Sequence, residues 1–139
     1  MANIERHVTR QLVAMESITP CREAARLMAE KRIGAVAVRE GGRVVGVVTE
    51  RDLAVRVVAV GDSGAMPIGQ AMRQDLPRVG PKTSEKETSE LMRTHYTRHL
   101  LVEDQGQVIG IISMRDVIAL LLDDKQFLID QLQIYIDGR

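Results

Sequence analysis

Gly46-Val47-Val48-Thr49-Glu50-Arg51-Asp52 and Gly110-Ile111-Ile112-Ser113-Met114-Arg115-Asp116 are one motif written twice, 64 residues apart. Working outward at that offset, the same residue types keep meeting: Val44/Val108, Gly42/Gly106, Val38/Val102, Met28/Met92, Leu27/Leu91, Glu23/Glu87, Thr19/Thr83, Leu12/Leu76 and Ile4/Ile68. Residues 4–58 lie over 68–122 without a gap. A unit of this length exceeds the solenoid range of about 20 to 50 residues, and two copies are fewer than a solenoid needs to bury its core. The duplication therefore predicts a closed, two-lobed domain about a pseudo-twofold axis. Its parts are repeat one over 4–60, a Gly-, Ser- and Pro-bearing linker over 61–67, and repeat two over 68–122.

Each copy reads as β-α-β-β-α, an α/β (α+β) fold. In the first, Thr19 reads as an N-cap with Pro20 at the first helical position, and Ala24, Ala25, Leu27 and Met28 recur at helical spacing to about Lys31. In the second, Ser84-Glu85-Lys86-Glu87 has the pattern of a capping box. Two β-hairpins follow, turning at 39–43 and 104–106, and each leads into a helix from about Glu50 and Met114. Their arms are apolar runs rather than strict alternations, which predicts sheets covered on both faces. Segments 12–15 and 76–79 are candidate edge strands, and Pro77 is tolerable at an edge. The tail over 124–136 places Phe127, Leu128, Leu132, Tyr135 and Ile136 on one helical stripe. That stripe suits either packing back on the domain or dimerisation.

Composition narrows the function. Nineteen basic and nineteen acidic residues balance, which disfavours nucleic acid as a partner because the broad basic footprint is missing. Aromatic content is 2% with no Trp, so the core is aliphatic. A single cysteine, Cys21, cannot form an internal disulfide. No apolar run at the N-terminus suits a signal peptide or a membrane span, and the expected location is the cytoplasm.

The chemistry sits at the strand-to-helix junctions. A hydroxyl at the strand end lies where the free N–H groups and dipole of the next helix favour an anion. An Asp three residues on, Asp52 or Asp116, can accept hydrogen bonds from vicinal hydroxyls. That spacing suits a ribose phosphate. A lone Thr–Asp pair at a helix start is commonplace capping, whereas two at one offset after matching hairpins are not. His7, His95 and His99 lack partners at metal-ligand spacing, so no metal is expected. Cys21 precedes a helix, where a thiol can be acidified, but it has no placed base. No phosphate loop, nucleophile elbow or catalytic carboxylate pair is present, and no enzyme is expected.

With these motifs, with Ala24-Ala25-Arg26-Leu27-Met28 and with Ile33-Gly34-Ala35-Val36-Ala37-Val38, the chain resembles the cystathionine β-synthase (CBS) domain family. The likeness is to its small stand-alone bacterial members. It implies a Bateman module, two units packed sheet to sheet with two clefts that bind adenosine-containing ligands. Family roles then fall on Thr49 and Asp52 in one cleft and on Ser113 and Asp116 in the other. The resemblance also places Val13, Ile33 and Gly34 near the Asp116 motif, and Pro77, Thr97 and Arg98 near the Asp52 motif. Arg98 and His99 stand opposite Gly34 and Ala35 of the first copy and are candidate phosphate ligands or a solvated basic edge. Arg51 and Arg115 could reach a phosphate or form surface ion pairs.

The implied function is a regulatory, signal-sensing module without catalysis. AMP, ADP and ATP are the first ligands expected, NAD(H) is admissible, and S-adenosylmethionine less so. The implied partners are a second copy in a homodimer and an unidentified regulated protein. The alternative is an adaptor with vestigial clefts that binds a partner through its C-terminal helix.

Overall fold

The computed structural model describes residues 3–8 and 12–138, with the side chains of all but Arg6, His7 and Tyr135. The His7 and Tyr135 side chains named above thus lie outside the described residues. Strand β1 (Ala14–Glu16), helix α1 (Cys21–Lys31), strands β2 (Ala35–Glu40) and β3 (Arg43–Thr49) and helix α2 (Glu50–Leu53) make up the first repeat. A π-helical turn, Ala54–Val58, prolongs α2. A short helix α3 (Ile68–Ala71) precedes α4 (Glu85–Thr94), strands β4 (His99–Asp104) and β5 (Gln107–Ser113) and the long α5 (Met114–Gly138).

Both hairpins turn through two residues of positive φ, Gly41 and Gly42 at 59° and 78°, Gln105 and Gly106 at 52° and 78°. This is the twist-matched two-residue turn that favours Gly. Both also shift register at the same place, after Val38↔Gly46 and after Val102↔Gly110. The duplication thus extends to the irregularities. The sheets are covered on both faces as their apolar runs predict: Val36, Val38 and Val48 face the helices, whereas Ala35, Ala37 and Val47 meet Leu101 of the other sheet.

The leading turn of each repeat packs on the other. Ile4, in a 3-10 turn (Ile4–His7), is buried in the core with Met92, Leu100, Ile112 and Leu120, whereas its counterpart Ile68 is buried with Cys21, Ala24 and Val57. The Ile4 N–H donates to Thr83 O at 3.1 Å and the Ile68 N–H to Thr19 O at 2.8 Å. This exchange ties the two halves together, so the packed units differ from the sequence repeats by one turn.

Four local expectations need correction. Helix α1 has Pro20, not Thr19, at its N-cap. Its first amides are satisfied from afar: the Cys21 N–H donates to Met66 O at 2.7 Å and the Arg22 N–H to Gly64 O at 2.9 Å. At α4 only half the capping box forms. The Ser84 hydroxyl accepts the Glu87 N–H at 3.1 Å, with no return bond from Glu87 among the described residues. Segment 76–79 is no strand; Val79 makes a single bridge to Val102, because Pro77 and Pro81 remove flanking donors. Finally, the tail over 124–136 is not a separate helix but the far part of α5. Gly61, at φ 81°, helps end the first copy's helical segment, whereas Lys125 occupies that position in the second and the helix runs on.

Candidate functional site

Each motif residue is held by its own helix start. Thr49 is the N-cap of α2. Its N–H and hydroxyl both donate to Asp52 Oδ2, at 2.9 and 3.0 Å, and its Oγ1 accepts the Asp52 N–H at 3.2 Å. In the second copy the Ser113 N–H and hydroxyl reach Asp116 Oδ2 at 2.9 and 2.8 Å, and the Asp116 N–H returns to Ser113 Oγ at 3.1 Å. One carboxylate oxygen is therefore occupied in capping. The other, Oδ1, has no hydrogen-bond partner among the described residues and is free to accept from a ligand.

The preceding backbone locks each motif to its hairpin. The Glu50 N–H donates to Gly34 O at 3.0 Å and the Met114 N–H to Arg98 O at 2.8 Å. A cleft of about 1140 Å³ contains Thr49, Arg51 and Asp52 and brings Thr97, Arg98 and His99 to them. A second, of about 700 Å³, joins Ser113, Arg115 and Asp116 to Val13, Ile33 and Gly34. Pro77 lines neither. It sits in a small crevice beside Gly46 because residues 72–74 take the place beside β3: Val47 and Arg73 exchange backbone hydrogen bonds at 3.1 and 2.8 Å.

Glu50, Arg98, His99 and Met114 line both clefts, forming a shared wall on the pseudo-axis. Gly34 is small there for a reason. A β-carbon on it would stand 3.2 Å from both Glu50 Oε1 and His99 Cε1. Burial pushes the His99 imidazole below its usual pKa, against the pull of the Glu50 and Asp116 charges. Burial thus disfavours a charge on His99, which leaves Arg98 as the cation of the pair. Arg51 and Arg115 are exposed on their clefts and form no ion pair among the described residues.

Sequence reasoning missed Arg73, Tyr96 and Arg32. The Arg73 guanidinium spans Asp75, at 3.1 and 2.9 Å, and the carbonyls of His95 and Tyr96, at 3.0 and 3.4 Å. Nothing in the local sequence signals a contact over such separations. Cys21 has no acidified thiol; it is buried, and burial followed by the Asp62 charge pushes its pKa up. Among the described residues no group of three or more metal-ligating side chains converges, and no helix is long and apolar enough to cross a membrane.

Two hairpin-to-helix motifs facing two clefts about one axis define a duplicated α+β module, and the comparisons give its family. The chain belongs to the CBS domain family, whose sequence model matches residues 4–59 and again 68–123. The CBS domain-containing protein YhcV of Bacillus subtilis (strain 168) is 32% identical over 117 residues, covering 84% of each chain. A solved CBS-domain protein from Burkholderia ambifaria MC40-6 superposes with a TM-score of 0.81 at 35% identity, covering 87% of this chain and 92% of that one. An uncharacterized conserved protein from Pyrococcus horikoshii gives 0.79 at 30%, covering 86% and 91%. The chain is thus a CBS-domain pair, a module of a regulatory, signal-transduction family.

Proposed function

We propose that this CBS pair is a non-catalytic sensor that binds adenosine-containing ligands, AMP, ADP or ATP first and NAD(H) next, one in each cleft. The observation that supports this most directly is the free Oδ1 of Asp52 and of Asp116, each carboxylate fixed by its capping bonds in the lining of a cleft. A carboxylate oxygen with two open lone pairs suits the vicinal hydroxyls of a ribose. Arg51, Arg115 and the shared Arg98 supply positive charge for phosphate, and Thr49 and Ser113 hold the carboxylates in register. A ligand regulates only through its differential affinity for two states of the pair.

Calorimetry with AMP, ATP and NADH tests this. Saturating AMP, near a hundred times its Kd, should stabilise the protein by about 2.7 kcal/mol and raise the thermal midpoint by roughly 5 to 10 °C. Asp52→Ala and Asp116→Ala should each abolish one site. Each also loses a helix cap worth about 1 kcal/mol, so binding is compared well below the variants' midpoints. Undiminished binding of all three nucleotides to the double variant would sink the assignment.

A second reading, an adaptor or homodimer built through α5, has its own observation. Phe127, Leu128, Ile129 and Leu132 are each more than half exposed on that helix. A second copy is the occupant we favour, since Ile118, Leu121, Leu122 and Ile136 extend the apolar surface along one helix. Sedimentation should find a dimer that Leu128→Glu with Leu132→Glu converts to monomer; a monomeric parent chain would remove the homodimer.

A further inference from the structure

Residues 32 and 96 are counterparts at the offset of 64, and both adopt the left-handed backbone conformation, φ 55° at Arg32 and 52° at Tyr96. They end α1 and α4, where glycine or asparagine ordinarily takes that conformation. Each lies on the rim of the cleft whose motif belongs to the other repeat: Arg32 on the Ser113–Asp116 cleft, Tyr96 on the Thr49–Asp52 cleft. The side chain at 96 is 85% exposed, an aromatic ring on a cleft rim with almost nothing packed on it. It is one of three aromatic residues in the chain, and Phe127 stands far along α5.

Tyr96 is also the residue whose backbone is tied across the molecule. Arg73 holds the His95 and Tyr96 carbonyls while its own backbone pairs with Val47, two residues before Thr49. The rim of the cleft is thereby fixed to the strand that delivers the motif. We propose that Tyr96 is the specificity-determining residue of the Thr49–Asp52 cleft, its ring stacking on the base of a nucleotide whose ribose Asp52 holds. The rest of that cleft's apolar lining comes from Val55, Met92 and Met114, so beside the part-buried His99 imidazole it is Tyr96 that supplies an exposed π-face. The other cleft has a guanidinium at this place, which favours an additional anionic group instead of a base. The inference rests on the adenosine reading of the clefts and specifies how one of them chooses.

The experiment uses the Asp116→Ala background, in which the Asp52 cleft alone is expected to bind. With no Trp and only Tyr96 and Tyr135, a further Tyr135→Phe change makes tyrosine emission report on Tyr96. AMP should quench that emission along the calorimetric binding curve. Tyr96→Ala should weaken AMP by roughly tenfold, Tyr96→Phe should stay within about twofold, and ribose 5-phosphate should bind all three forms alike. Asp52-dependent AMP binding that Tyr96→Ala leaves intact, with no change in emission, overturns the inference and spares the adenosine reading. AMP binding that is absent or indifferent to Asp52 overturns both.

Discussion

Gly46→Ala is expected to destabilise the protein by about 2 to 4 kcal/mol, far more than an alanine in a strand ordinarily costs. The backbone conformation at Gly46 is not left-handed; the cause is proximity. A β-carbon there would stand 2.7 Å from the Arg73 carbonyl oxygen and 2.9 Å from Met72 Sδ. The thioether can swing away, but the carbonyl is part of a backbone held by reciprocal hydrogen bonds to Val47. Relief means moving segment 72–74 off β3, which forfeits both bonds and withdraws the Arg73 guanidinium from the rim of the larger cleft. Urea unfolding should show the loss, and nucleotide affinity at the Asp52 cleft should fall with it. Gly42→Ala is the control. Its φ of 78° is unfavourable for alanine, but among the described residues nothing lies within 4 Å of the added β-carbon, so it should cost only about 1 kcal/mol and leave binding untouched. Equal losses in the two variants would refute the close-approach account.

The same residue marks how far the sequence can be read. A glycine in a strand predicts close approach of a backbone or a ligand, and at Gly46 the structure supplies a backbone. The offset of 64 made the hairpins, the helix starts at Glu50 and Met114 and the end of α1 at Lys31 legible, because each has a local signal that occurs twice. What stayed hidden depends on partners distant in the chain. Pro20 caps α1 because linker carbonyls meet the next amides, and Ile4 and Ile68 cross to opposite cores because a short apolar turn needs a larger surface than its own repeat offers. Helix α5 is different: no Gly or Pro interrupts 114–137, and the loss of the stop at Gly61 was visible in the alignment of the copies. The candidate site divides the same way. Its carboxylates were readable as a motif, whereas Tyr96 and Arg32 follow from two helix ends lacking glycine, which only the backbone angles reveal.

Glu85→Gln should make the protein more stable above pH 7 and leave it nearly unchanged near pH 5. Glu85 is the first residue of α4, 5% exposed, and its Oε2 has no hydrogen-bond partner among the described residues. A helix start favours a carboxylate, yet burial outweighs it. Burial first, then the neighbouring Asp124 on α5 through hydrogen bonding and charge, raises the Glu85 pKa to about 7 from 4.5. Between those values the folded protein binds a proton that the unfolded chain does not. Stability is therefore full below about pH 4.5, declines as pH rises toward 7 and levels off above it. The shift corresponds to a loss on the order of 3 kcal/mol across that window. Glutamine, neutral throughout, should flatten this contribution, and its amide can donate to Asp124 where the charged glutamate can only repel it. Urea unfolding at pH 5, 6, 7 and 8 measures the effect. Wild-type and Glu85→Gln curves that run parallel across the series would show that Glu85 is ionised in the fold, and would leave the α4–α5 contact without its proton. A diverging pair would instead make that contact, near the middle of the helix bearing the apolar face, a point at which pH sets the stability of the fold.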